Sequence, residues 1–188
     1  MIQPKTALLL IDVQASFPAR DYWVESLAQT WRPKQRAVLN AAQANDIPVV
    51  RILHEEPGSQ GAFDPDGDLI CPLDDFNDEV AVTFHKRAHN AFSDTSLESW
   101  LRERGIERLA ISGIRTEQCC ETTARVASDL GFSVDFISDA TLTFTMTRHG
   151  ITWSADDIKA RTELVLEDRF ARIISTQDMI NEWQNPRE

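Results

Sequence analysis

The chain has 188 residues, 42% hydrophobic and 26% charged, the make-up of one globular domain with enough length for a full core. Nineteen basic against 30 acidic residues leave a formal charge of −11 and a pI near 4.8. Such a surface repels phosphate backbones and anionic membranes, so neither nucleic acid nor membrane is an expected partner. Three cysteines, two of them adjacent, make no disulfide framework, and no signal-peptide pattern or spanning apolar run opens the sequence. These features predict a single domain over 1–188 and a cytoplasmic location.

Residues 6–11 (TALLLI) are apolar without alternation, which predicts a strand covered on both faces, as in a parallel sheet. Asp12 ends it. An Asp there often caps a turn, but the carboxyl edge of parallel strands is also where open α/β sheets hold ligands. Phe17, Tyr22, Trp23 and Trp31 follow and serve either a pocket or helix packing. Pro33 suits the first position of a helix reaching about residue 44. Residues 47–53 (IPVVRIL) predict a second strand. The acidic stretch 55–78 carries Gly and Pro without periodicity and reads as a lid or a disordered excursion; Cys71, within it, has no assigned role. A third strand at 81–84 (AVTF) runs into His85, Lys86 and Arg87, and 95–105 predicts a helix with Leu97, Trp100 and Leu101 inward.

The most informative segment is 108–131, RLAISGIRTEQCCETTARVASDLG. A short strand at 109–111 breaks at Ser112-Gly113, and a helix follows with Cys120, Thr123, Ala124, Ala127 and Leu130 at helical spacing. Thr116 is the expected N-cap and Gly131 the C-terminal stop. Cys119 then lies in the first helical turn, where free N–H groups and about half a positive charge favour thiolate and can hold an oxyanion. The alternative is an inert buried cysteine. Residues 133–137 predict a fifth strand, 141–153 a connection, Ser154 with Asp157 a capped helix to about 166, 171–174 a short sixth strand, and a closing helix from Thr176 carries Met179, Ile180 and Trp183. Strands alternating with helices imply an α/β fold of right-handed βαβ units, with a sheet covered on both faces.

Asp12, Lys86 and Cys119 each fall at the carboxyl end of a predicted strand. A carboxylate, a cation and a thiol make sense as a set: Lys86 stabilises Cys119 as thiolate, and Asp12 takes and returns a proton. There is no GxGxxG, no GxxxxGK[ST], no CxxC and no HExxH, so no cofactor and no metal is expected. His54 follows the second strand, but Ile52 stands where a metal-binding carboxylate would.

Three segments, LLLIDVQASF at 8–17, KRAHNAF at 86–92 and SGIRTEQCCETTAR at 112–125, resemble in order and spacing the isochorismatase-like cysteine hydrolases, the superfamily that includes nicotinamidases and ureide hydrolases. The resemblance implies a three-layer α/β/α, Rossmann-like fold whose six-stranded parallel sheet has the order 3-2-1-4-5-6. It implies a catalytic triad of Asp12, Lys86 and Cys119, a cis peptide between Ile114 and Arg115, and an oxyanion hole of the Arg115 and Cys119 backbone amides. It also implies a homo-oligomer and a small-molecule substrate. Phe17, Trp23 and Phe92 are candidate pocket walls. Arg115 stands where a small residue is common, offering an anion-binding or merely a surface side chain. Cys120 stands where Val is common and is expected to face the core; a Cys119–Cys120 redox pair would be a strained disulfide. The implied activity is a metal-independent amidohydrolase working through a thioester. A vinyl-ether hydrolase and a non-catalytic binding relative are the alternatives.

Overall fold

The computed structural model describes residues 5–185, so the expected domain extent of 1–188 runs past it at both ends. Strand β1 (Lys5–Ile11) is covered on both faces, as its unbroken apolar run predicts. Leu8 and Leu10 enter one apolar layer, while Ala7, Leu9 and Ile11 enter the other. Each fully buried Leu contributes about 1.5–3 kcal/mol relative to leaving it in water, which fixes β1 at the sheet's centre.

In chain order the remaining elements are α1 (Glu25–Ala44), β2 (Val49–His54), β3 (Val82–Lys86), α2 (Leu97–Glu103), β4 (Ile106–Ile114), α3 (Glu121–Asp129), β5 (Ser133–Leu142), β6 (Met146–Arg148), β7 (Ile151–Trp153), α4 (Ala155–Leu166), β8 (Arg172–Ile174) and α5 (Thr176–Gln184). The main sheet is parallel with the order β3-β2-β1-β4-β5-β8. This is the expected 3-2-1-4-5-6, with β8 as its sixth strand. Helices α1 and α5 cover one face through Ala28, Trp31, Val38, Leu39 and Met179; α2, α3 and α4 cover the other through Leu97, Leu101, Ala124, Ala127 and Leu166.

Several expectations need correction. Helix α1 starts at Glu25 and runs through Pro33 rather than beginning there. Pro33 is exposed, so the hydrogen bond it cannot make lies on the solvent side, and the Ala28–Trp31–Val38–Leu39 stripe holds the helix across it. Strand β4 does not break at Ser112-Gly113. A side chain at Gly113 would place Cβ 1.9 Å from the Ile11 carbonyl oxygen, so glycine is what lets β4 run flush against β1 to its end. Thr116 is not an N-cap: a π-helical turn, Thr116–Cys120, precedes α3, and the Thr116 hydroxyl donates instead to Thr141 Oγ1 at 2.7 Å. The 141–153 connection contains the β6–β7 hairpin, whose Met146, Ile151 and Trp153 are exposed. Trp183, half-buried, packs against the α1-side core.

The 55–78 stretch is neither free nor disordered. The Ala15 amide bonds the Cys71 carbonyl, the Leu73 amide bonds Val13, and the Ser16 hydroxyl donates to Leu69. Arg51 Nη2 bonds the carbonyls of Phe76 and Asp78. Phe63, Leu73 and Phe76 are buried by it.

Candidate active site

The sheet's register collects the polar residues on one edge. His54 and Lys86 are the last residues of β2 and β3 and are paired across the two strands. Asp12 immediately follows β1, and Cys119 follows β4, the strand on β1's other side. Edge strand β3 is otherwise exposed or half-exposed; Lys86 is its one fully buried residue. Asp12 adopts a left-handed backbone (φ 51°), uncommon for a non-glycine residue and a conformation that concentrates at functional sites. Its amide bonds the Ile52 carbonyl, which fixes the turn to β2.

Lys86 is the hub. Its Nζ lies 2.9 Å from Asp12 Oδ2, 3.3 Å from Cys119 Sγ, 3.2 Å from His54 Nδ1 and 3.2 Å from the Ala88 carbonyl. Asp12 and Lys86 side chains are fully excluded from solvent. The other carboxylate oxygen, Asp12 Oδ1, is buried without a hydrogen-bond partner among the described residues. An orphaned acceptor beside a thiol is an expensive arrangement for stability alone and a useful one for taking a proton.

The charge state of the sulfur differs from the sequence expectation. Burial, followed by the Asp12 carboxylate, pushes the Cys119 thiol well above its ordinary range, and the Lys86 ammonium only partly opposes this. Burial and the carboxylate thus both favour the neutral thiol, against the thiolate expected from the helix terminus. Burial pulls Lys86 down, but the Asp12 carboxylate, joined by Cys119 whenever its sulfur is ionised, outweighs it and raises its pKa, so the ammonium is secure. Burial and then Lys86 lower His54, which stays neutral. With Nδ1 accepting from Lys86, His54 Nε2 carries the proton toward Glu56 Oε1 at 3.3 Å.

Cys119 sits in the π-helical turn, a local widening common at functional sites. The Ile114–Arg115 peptide is cis. The Arg115 carbonyl accepts from the amides of Gln118 and Cys120, folding the turn back on itself. The Arg115 side chain is no open anion site. It is buried, its Nη2 lies 2.9 Å from Glu117 Oε1 outside hydrogen-bond geometry, and its guanidinium lies over the Tyr22 ring. Cys120 packs in the core layer with α3, and Cys71 is exposed.

Of the three candidate walls, Phe17 contacts Phe63 edge to face at 5.1 Å, and Phe63 contacts His54, which ties it to the site. Trp23 packs on Phe144 and donates to Glu25, within the aromatic cluster that covers Arg115. Phe92, half-buried, stacks on Phe132, ahead of β5, and packs against the α3-side core. Sequence reasoning missed Gln14, whose amide clamps both the N–H and the carbonyl of His54. It also gave no role to His89, whose Nδ1 lies 3.7 Å from Cys119 Sγ. The only signal for His89 was its place three residues after Lys86.

The Isochorismatase domain family model matches residues 6–178, nearly the whole chain. The chain belongs to the isochorismatase family. Within this hydrolase family, an uncharacterized isochorismatase family protein of Bacillus subtilis (strain 168), YrdC, is 29% identical over 193 aligned residues, covering 97% of this chain and 98% of the relative. Nicotinamidase 3 of Arabidopsis thaliana is 30% identical, covering 78% of this chain and 77% of the relative. The crystal structure of a provisionally assigned isochorismatase from Burkholderia xenovorans LB400 superposes with a TM-score of 0.89 at 28% identity, covering 97% of this chain and 88% of that one. The isochorismatase fold and the hydrolase class thus stand on sequence and structure together. No helix among the described residues is long and apolar enough to cross a membrane.

Proposed function

We propose that this isochorismatase-family protein is a cysteine amidohydrolase, with Asp12, Lys86 and Cys119 as its catalytic triad, cleaving the C–N bond of a small amide or ureide. The observation that carries the reading is the single ammonium bridging a carboxylate at 2.9 Å and a thiol at 3.3 Å, with the second carboxylate oxygen unpartnered. In acylation, Asp12 accepts the Cys119 proton as sulfur attacks the substrate carbonyl, so no free thiolate is needed beforehand. The Arg115 and Cys119 amides receive the oxyanion. Collapse breaks the C–N bond, and the proton passes from Asp12 to the leaving nitrogen. Asp12, again a carboxylate, then activates water to hydrolyse the thioester.

The similarity to a nicotinamidase favours an amide over a vinyl ether. Metal independence is part of the proposal: the His54 Nδ1 lone pair is engaged by Lys86, and no group of three His, Cys, Asp or Glu side chains among the described residues is arranged to hold an ion. Self-association, implied by the resemblance, belongs to the same reading and is checked by sedimentation of the full chain. The activity is tested by screening small amides and ureides for ammonia release with Cys119→Ala as the blank. Release above the blank supports the reading; equal release from Cys119→Ala on every active compound contradicts it.

A further inference from the structure

Lys86 reaches its partners from a distance. It ends β3, while Asp12 follows β1, and β2 lies between the two strands. Two strand spacings amount to about 10 Å, so the lysine side chain crosses the end of β2 to meet Asp12 and Cys119. His54, the last residue of β2, stands at that crossing with its Nδ1 3.2 Å from Lys86 Nζ. An ammonium has three N–H donors and no lone pair, so Nδ1 accepts and the ring proton sits on Nε2. Four acceptors surround those three donors: Asp12 Oδ2 at 2.9 Å, His54 Nδ1 and the Ala88 carbonyl at 3.2 Å, and Cys119 Sγ at 3.3 Å. A thiol sulfur accepts weakly. The other three therefore hold the resting ammonium, with sulfur in reach. The Lys86 side chain has no exposed surface, so solvent does not replace a lost acceptor. His54 is itself pinned. Gln14 Oε1 accepts from its amide at 2.7 Å, Gln14 Nε2 donates to its carbonyl at 3.0 Å, and its Nε2 faces Glu56 Oε1 at 3.3 Å. Its ring meets Phe63 edge to face at 5.6 Å.

We propose that His54 is a positioning residue that acts through Lys86: its Nδ1 lone pair fixes the ammonium where it faces the Asp12 carboxylate and the Cys119 sulfur together; this rests on the thioester reading above. His54 touches no reacting atom. A neutral imidazole suits the place because it supplies a lone pair without a charge. It anchors Lys86 and leaves the full positive charge to Asp12, and to the sulfur when the C–S bond breaks. A carboxylate there would accept the same hydrogen bond but neutralise the cation. An apolar side chain would leave one buried N–H unanswered and the ammonium free to shift. A misplacement of about 1 Å in a catalytic group costs on the order of a hundredfold in rate.

The test uses the full chain with p-nitrophenyl acetate, an activated ester that acylates a catalytic thiol and reports the step through p-nitrophenolate. Acylation is read as release above the Cys119→Ala background, with the acetyl adduct on Cys119 followed by intact mass. His54→Leu, which has no acceptor, should acylate about a hundredfold more slowly than wild type. An asparagine Oδ1 stands where Nδ1 does, whereas a glutamine carries its amide out to the place of Nε2. His54→Asn should therefore recover to within about fivefold of wild type, and His54→Gln should stay near the His54→Leu rate. A packing role would rank the larger glutamine ahead. Long-range proton–nitrogen spectra of the wild-type protein need no variant to fold: they should show His54 with a bare Nδ1 and a protonated Nε2. Wild-type rates in His54→Leu, equal rates in His54→Asn and His54→Gln, or a proton on Nδ1 overturn the His54 assignment and leave the thioester intact. Wild-type release no greater than that of Cys119→Ala, with no adduct, overturns the thioester reading and His54's role with it.

Discussion

Two carboxylates are fully buried in the same sheet, and they are treated in opposite ways. Asp135, in β5, is flanked by Arg108 of β4 and Arg172 of β8, and both of its oxygens accept hydrogen bonds at 2.8–3.1 Å. Asp12, past the end of β1, pairs one oxygen with Lys86 and leaves the other unpartnered beside a thiol. A buried carboxylate with both oxygens answered ties strands together. One with an idle lone pair costs stability and is held in place by surrounding packing, so its use has to be sought in chemistry. The same residue type at the same depth is a fastener at one position and a proton acceptor at the other.

Substitutions sharpen the contrast. The largest effect is expected at the idle carboxylate: Asp12→Asn and Cys119→Ala should each lower turnover on a substrate found in the amide screen by about 10³-fold or more. Arg172→Met should do the reverse. It removes one partner of Asp135 and should cost about 2 kcal/mol, a fall in Tm of roughly 4–8 °C, with turnover per folded molecule unchanged. A drop in turnover at constant Tm would break the division between the two carboxylates.

Proton linkage gives a smaller effect confined to the site. The pKa of His54 is lower folded than its ordinary 6.5, so the unfolded chain takes up the proton first. Stability from a neutral His54 is complete above about pH 6.5 and is lost as pH falls toward the folded value. Lys86 is raised above its ordinary 10.5, so its contribution is complete below that and disappears as pH rises through the folded value. Calorimetry should show Tm falling on both flanks, with the acid flank reduced in His54→Gln. The smallest effect is expected at Phe92: because it stacks on Phe132, Phe92→Leu should leave KM within about twofold, where loss of a pocket aromatic would cost tenfold or more.

The parts of this molecule that were legible in its sequence are those written in local pattern. The unbroken run before Asp12, the Ser154–Asp157 capping box and the alternation of strand and helix each carry their own signal, and the structure keeps all of them. Asp12, Lys86 and Cys119 were found because each falls at a strand's carboxyl end, a position the chain order exposes. The misses involve contacts between distant segments. Gln14 looks like any loop glutamine until β2 lies beside it, 40 residues on. The 55–78 stretch has no periodicity because backbone bonds to the β1 loop, rather than a repeating apolar face, hold it down. The forces opposing ionisation of the thiol were hidden for a similar reason. A helix terminus is visible in sequence, whereas burial against the Asp12 carboxylate is not.

The central claim, that Asp12 is the proton acceptor of a neutral thiol, is tested most directly by titrating Cys119. The thiolate ultraviolet absorbance of each protein, after subtraction of its Cys119→Ala counterpart, should be followed against pH in wild type and in Asp12→Asn. Wild type should show no thiolate near neutrality. Asp12→Asn, freed of the carboxylate that pushes the thiol up, should ionise at lower pH and yet be inactive. A wild-type sulfur already ionised at neutral pH, or an Asp12→Asn protein that keeps its turnover, would contradict the account.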